Sequence, residues 1–546
     1  LIVLERWSQR IALLALLGGA ALTAVPAHPA MKEAEPAADT LNLVLRDRIP
    51  SATNAALFQV RERPQRWEAK NTAVIVCDMW DLHHCKRAVD RVQEMAPRMN
   101  EVLVKAREKG ALIIHAPSSC MAAYEDTPMR KRAKDAPAAK NLPKDIGAWC
   151  NKIPAEEKGR YPIDQSDGGE DDDKEEHAAW AAKLAALGRN PKAPWKSQYD
   201  ALKMDERDAV SDSGVEIWNL LEQRGIDHVI LVGVHTNMCV LGRPFGLRQL
   251  AKNGKDVVLM RDLTDTMYNP ARWPHVSHFR GTDLIVEHVE KYVCPTVTSD
   301  QLLGGKPYRF KGDVRPLAVL AVSEDEYQTA QTLPAFARDV VQDRLGVDTK
   351  VLLADPKDPN VIPGLAEALE KADLLLVSVR RRALPEKDLE AVRRFVAAGK
   401  PVVGIRTASH AFDAKGKPAE GRAVWPKFDP EVLGGNYSGH HGAGPKTTVK
   451  PAPEAEKHPI LAGVQTPFVS HGSLYKVSPL AKSATPLLLG SIPEQTPEPV
   501  AWVNQCGKAR VFYTSLGHPE DFQDASFRRL LANGILWALD KPVPSP

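Results

Sequence analysis

The sequence predicts an α/β protein built from two open, mostly parallel three-layer αβα domains in tandem. Three observations carry this. Short apolar runs such as "TAVIVC" and "HVILVGV" alternate with amphipathic stretches such as "MNEVLVKAREKG", the pattern of strands buried on both faces with helices laid over them. The alternation runs from about residue 72 to 303 and starts again near residue 314. The length of 546 residues also exceeds what one core fills, since a domain takes about 100–200 residues.

The elements follow in order. Residues 1–30 carry Arg6 and Arg10, an apolar run from Ile11 to Val25, then small residues around Ala27 and Ala30. That is the layout of a cleavable secretory signal, with an uncleaved anchor as the alternative. The run is shorter than the roughly 20 residues of a membrane span, so the mature protein is expected to be secreted or periplasmic. Residues 31–70 are polar, contain proline and are weakly periodic, and read as a linker or arm. The first domain spans 71–305. "TAVIVCDMW" is a strand ending in an acid, "ALIIHAPSS" a second strand and "DHVILVGV" a third. "KDVVLMRDLTD" is a fourth. A helix is expected from about Cys239 to Lys252, kinked by Pro244. An insertion at about 120–195 includes the acidic run "PIDQSDGGEDDDKEEH". That run reads either as a solvated loop or as a calcium loop using Asp164, Asp167, Asp171 and Asp173. The second domain, 314–542, repeats the alternation from "RPLAVLAVSED" to "SFRRLLANGILWALD". Both domains are therefore expected to be Rossmann- or flavodoxin-like.

Composition narrows the partners. Net charge is +3 and aromatic content 6%, which argues against nucleic acid. No later apolar run crosses a membrane, so no membrane partner is expected after signal cleavage. A small-molecule substrate is expected, no cofactor is expected, and a homo-oligomer stays open. Seven cysteines occur without a C-x-x-C pair, which excludes a zinc ribbon, and an odd number leaves at least one thiol free.

Ligands of open parallel sheets bind beyond the carboxyl ends of the strands. Asp78 and Cys239 hold such positions. A thiol at a helix N-terminus beside a cation has a lowered pKa and is a nucleophile. Lys196 or Lys203 is the candidate cation, and Asp78 is placed to move the proton. Backbone N–H groups in "VHTNMC" are candidate oxyanion donors. The alternative is a buried, inert Cys239.

"VIVCDMWD" followed by "GVHTNMCV" resembles the isochorismatase-like cysteine hydrolase superfamily, which includes nicotinamidases and N-carbamoylsarcosine amidases. The resemblance implies an Asp-Lys-Cys triad of Asp78, Lys196 and Cys239, with Lys203 as competitor for the lysine. It implies a cis peptide between Val234 and His235, and an oxyanion hole from the amides of His235 and Cys239. The substrate pocket is expected to involve Trp80, His115, Thr236 and Asn237. The implied reaction is hydrolysis of an amide or ureide-like C–N bond through a thioester. Asp81 and His83 have the spacing of the family's metal set, but its further histidine has no counterpart, so no metal is expected. In the second half, "PVVGIRTASHAF", "EVLGGNYSGHHG" and "ARVFYTSLGHPEDF" resemble ThuA-like domains, related in fold to class I glutamine amidotransferases. Arg406 stands at the elbow where that fold carries its nucleophile, Ser409 lacks a G-x-S-x-G setting, and Cys506 lies in a hairpin turn. His410, His440, His441 and His518 are candidates to gather at one sheet edge, to bind a metal or a sugar. The alternative to a hydrolase is thus a non-catalytic or carbohydrate-binding protein whose second half carries the function.

Overall fold

A computed structural model describes residues 39–50, 58–442 and 444–544. The expected signal segment lies outside the described residues. The first sheet has eight strands: β1 (Thr40–Pro50), β2 (Phe58–Glu68), β3 (Thr72–Cys77), β4 (Leu112–Ala116), β5 (Ala209–Val210), β6 (His228–Val234), β7 (Asp256–Asp265) and β8 (Thr296–Val297). Their order is β2-β1-β8-β7-β6-β3-β4-β5. The six strands from β8 to β5 run parallel. The antiparallel pair β1 and β2 extends the β8 edge.

That pair corrects the linker expected over 31–70. Leu41, Leu43 and Leu45 are buried while Asn42 and Val44 are exposed, the period-two pattern of a half-buried strand. Polar residues between the leucines hid the alternation. Arg48 is buried among carboxylates, with Nε on Glu290 at 2.9 Å and Nη2 on Asp343 at 2.7 Å.

In β3 the side chains divide by face. Ala73, Ile75 and Cys77 enter one core, and Val74 and Val76 the other. Helix α1 (Lys86–Glu108) covers one face and α2 (Gly214–Gln223) the other. The helix expected over Cys239–Lys252 is instead broken. A π-helical turn covers Thr236–Val240, and α3 begins only at Leu247. Pro244 has no N–H to continue the ladder, and Arg243 to Gly246 turn before the helix resumes. The last long helix of this half is α4 (His278–Tyr292).

The second sheet contains β9 (Leu317–Ser323), β10 (Asp348–Leu353), β11 (Leu374–Val379), β12 (Val402–Ile405), β13 (Thr447–Pro451), β14 (Phe468–Ser470), β15 (Thr485–Ser491), β16 (Glu498–Cys506) and β17 (Ala509–Thr514). Their order is β10-β9-β11-β12-β17-β16-β15-β13-β14. The first five are parallel. The remaining strands add antiparallel at one side of this open sheet. Helix α5 (Ala525–Ala538) ends the half and buries Phe527, Leu530 and Leu531. Both sheets belong to one compact unit. Ion pairs cross between the halves: Arg48 to Asp343, and Arg344 to Glu287 at 3.0 Å.

Candidate active site

Asp78 follows β3 directly and is fully buried. Its φ is +46°, in the left-handed region that a short polar side chain tolerates better than a branched one. Its N–H donates to the Ala116 carbonyl at 3.1 Å, so the neighbouring strand fixes where the chain turns. Oδ1 accepts the Ser118 N–H at 2.8 Å and Oδ2 accepts Arg243 Nε at 3.0 Å. The Cys239 thiol is near enough to the same carboxylate for each to shift the other's titration.

These contacts set the protonation states. Burial pushes the Asp78 carboxyl above its ordinary range, and Arg243 works against that. Burial and the adjacent Asp78 charge hold the Cys239 thiol well above its ordinary value, while Arg243 and the His235 N–H oppose them. The thiol acidified by a helix N-terminus is therefore not the resting state. Burial thus disfavours the charged form of both groups, and Arg243 is the cation that opposes it.

The cation of the site is Arg243, not Lys196 or Lys203. Lys196 is exposed, and its backbone N–H is held by Asp81 Oδ1 at 3.0 Å. Alternation along that segment turns Gln198 inward instead, onto His115. Lys203 is exposed, with its N–H on Asn100. Arg243 lies one helical step after the thiol, its N–H donating to the Cys239 carbonyl at 3.0 Å. Residues four apart share a helix face, and that spacing was the available signal for Arg243 in the sequence.

The peptide between Val234 and His235 is cis. Gly233, at φ +110°, packs so closely that a Cβ would lie 2.0 Å from the Cys77 carbonyl, so only glycine fits where β6 enters the turn. The four expected pocket residues divide. Trp80 lines a small cavity with Asp78, His83 and His235, and stacks on Trp195 at 4.6 Å. His115 is fully buried away from it, tied to Gln198 at 3.0 Å and Asp208 at 3.1 Å. The Thr236 hydroxyl is tied to Thr264 and the Asp265 carbonyl. The Asn237 side chain bonds the Met267 backbone in both directions, and its residue lines a separate cavity of about 440 Å³. His115 and Thr236 are thus scaffold. The cavity at Asp78 measures only about 10 Å³, about what one water needs. Cys239 is 8% exposed, and Trp149 of the insertion lies over the Arg243 guanidinium at 5.2 Å.

Asp81 does not pair with His83. It binds Arg189 at 2.9 Å and the N–H groups of Lys196 and Ser197. His83 is stripped of charge by burial, as is His235, whose pKa is pushed down to about 3. Among the described residues two other groups bring ligand atoms together: Cys85 with Glu170 and Asp172, and His471 with His518 and Glu520. The acidic run does not form a calcium loop. Asp171 binds Arg91 and His278, Asp172 accepts the N–H groups of Lys86 and Arg87, and Asp173 caps a helix at Glu176. Asp167 holds Asn269 and Arg272. All seven cysteines are free.

In the second half, Arg406 follows β12 at φ +43° and is buried. Its guanidinium lies between the rings of Tyr327 at 4.1 Å and Tyr475 at 4.6 Å, and donates to the Ser515 carbonyl at 2.6 Å. Of the four histidines, His410 and His440 both lie near Tyr475, at 6.1 and 6.4 Å, and His518 near Tyr327 at 6.1 Å. His410 also stacks on Tyr437 at 4.5 Å. The His441 N–H donates to the Leu474 carbonyl, and His518 pairs with Glu520. The Ser409 hydroxyl lies 3.1 Å from His410 Nδ1.

Among curated proteins, none matches this chain. Solved structures resemble parts of it at low identity. A protein described as ThuA-like from Bacteroides uniformis ATCC 8492 is 19% identical, with 43% of this chain and 95% of that one covered and a TM-score of 0.34. A cysteine hydrolase from Pseudomonas syringae pv. phaseolicola 1448A is 15% identical, covering 43% and 92%, with a TM-score of 0.27. An isochorismatase family protein from Desulfovibrio vulgaris subsp. vulgaris str. Hildenborough is 15% identical, covering 41% and 93%, with a TM-score of 0.22. Residues 318–538 match the family model ThuA, described as trehalose utilisation. The second half of this chain therefore carries a ThuA-like domain.

Proposed function

We propose that the first half is a cysteine hydrolase that cleaves an amide or ureide-like C–N bond of a small molecule. One observation carries the reading: a fully buried carboxylate, Asp78, stands beside the Cys239 thiol and is paired with Arg243 at 3.0 Å. In the reaction Asp78 takes the thiol proton as Sγ attacks the carbonyl carbon. The oxyanion is received by the amides of His235 and Cys239. Asp78 then gives the proton to the leaving nitrogen, the C–N bond breaks and a thioester remains. Water attacks the thioester, Asp78 takes its proton, and the acid leaves as the thiol reforms. Arg243 stays charged throughout and holds Asp78 and the incipient thiolate. The signal-like N-terminus supports a secreted or periplasmic site of action. The test is Cys239→Ala against a panel of amides and ureides. Hydrolysis lost with an unchanged fold supports the mechanism, and full activity in the variant overturns it.

A second reading is favoured by the ThuA match and by Arg406 set between two tyrosine rings. It makes the second half the working part, binding or processing a carbohydrate. Sugar binding that survives Cys239→Ala and is lost in Tyr475→Ala supports it, and indifference to Tyr475→Ala counts against it.

A further inference from the structure

A cavity of about 510 Å³ lies between α4 of the first half and α5 of the second, within the range of small-molecule sites. Six basic side chains line it (Arg160, Arg280, Lys291, Arg344, Arg528 and Arg529) against one carboxylate, Glu287. That carboxylate is already engaged, by Lys291 at 2.6 Å and Arg344 at 3.0 Å. Of the other cations Arg280 pairs with Asp283, Nη1 to Oδ2 at 3.6 Å, whereas Arg160, Arg528 and Arg529 have no ion-pair partner among the described residues. Arg528 donates only to the Phe522 carbonyl, and Arg529 to the carbonyls of Ala462 and Pro544. Arg160 lies over the Trp273 ring at 4.0 Å. Arg280 is 4% exposed, and neither of its terminal nitrogens has a hydrogen-bond partner. Burial and the neighbouring Arg344 push Arg528 down to about 10. Like charges held in a desolvated space repel strongly, and an anion relieves that cost.

The contrast with the neighbouring cavity of about 640 Å³ sharpens the point. There six basic groups meet five carboxylates, so the charge is nearly matched within the protein. In the 510 Å³ cavity Trp273, Leu284 and Leu536 supply apolar wall beside the cations.

We propose that this cavity binds a small molecule that carries two or more carboxylate or phosphate groups on an apolar body. Guanidinium groups suit both anions, because their forked donors match paired oxygens. The site is built by both halves and stands independently of the chemistry at Cys239.

The test is titration calorimetry of the full chain with inorganic pyrophosphate and with citrate. Three variants are compared: Arg160→Gln, the double variant Arg160→Gln/Arg528→Gln, and Lys350→Gln as a charge control on an exposed position. Saturable binding of either probe, weakened about tenfold or more in the double variant and unchanged in Lys350→Gln, is expected. Preference for pyrophosphate or for citrate identifies the natural ligand as phosphate- or carboxylate-bearing. Arg160 is exposed, so its single variant tests the site even where Arg528→Gln does not fold. The proposal is overturned by no saturable binding of either probe, by binding indifferent to both cavity variants, or by equal weakening in Lys350→Gln.

Discussion

At the Asp78 carboxylate, one oxygen is spent on the Ser118 N–H and the other on Arg243, with the Cys239 thiol beside them. Burial raises the acid and Arg243 lowers it. Removing the guanidinium removes the lowering influence, so Asp78 has to titrate at higher pH. Arg243→Gln is therefore expected to move the acid limb of the kcat/KM profile upward and to lower its plateau, measured on any amide the wild type turns over. An acid limb that stays in place means that Asp78 is not the base. The thiol gives an independent sign. Asp78 is among the groups that hold Cys239 above its ordinary pKa, so Asp78→Asn lowers the thiol pKa. Faster alkylation of Cys239 near neutral pH, alongside lost hydrolysis, is the expected pair of results. Slower alkylation contradicts it. Asp78 and Cys239 could be singled out in the sequence because Asp78 follows one apolar strand and Cys239 lies in the turn after another. Arg243 carried only its i+4 spacing from Cys239, which does not reveal how the turn before Pro244 closes. Lys196 misled because its segment does reach the loop after β3, but through its backbone.

At the element scale, the acidic insertion was legible as charge but not as structure. Asp171 is buried because Arg91 and His278 meet it, and Arg91 Nε also binds Asp265 at 2.7 Å. Those partners lie 80 to 107 positions away in the chain, where no local pattern reveals them. The hairpin β1–β2 was missed for a similar reason, since its buried arginines read as solvated until Glu290 is placed under them. His278 makes the insertion's staple pH-dependent. Burial disfavours its charged form, but Asp265 and Asp171 prevail and raise it to about 9, with Arg91 opposing. An unfolded histidine titrates near 6.5. The stabilisation is thus complete below about pH 6.5 and is lost as pH rises through about 9. Urea midpoints are expected to fall across that window in the wild type, and the fall should shrink in His278→Gln. Equal slopes in the two proteins mean that the histidine is not the titrating group.

At the scale of the whole molecule, the tandem α/β organisation was readable from the restart of alternation near residue 314, since strand and helix periods are local. How the halves meet was not, because the contacts are ionic and scattered. Arg48 on β1 reaches Asp343, and Glu287 on α4 reaches Arg344. Glu287 is 5% exposed, and a buried carboxylate that loses one of its cations keeps the desolvation cost without the full compensation. Polar interfaces between domains usually permit separate motion. Here the buried charges tie each half's stability to the other. Calorimetry of the full chain is therefore expected to give one unfolding transition. Arg344→Ala is expected to lower it, by about 2–4 °C for each kcal/mol lost. Because Arg344 belongs to the second half and Glu287 to the first, the whole transition should move as one. Two resolved transitions in the wild type, with only the second shifted by Arg344→Ala, would mean that the halves are energetically independent.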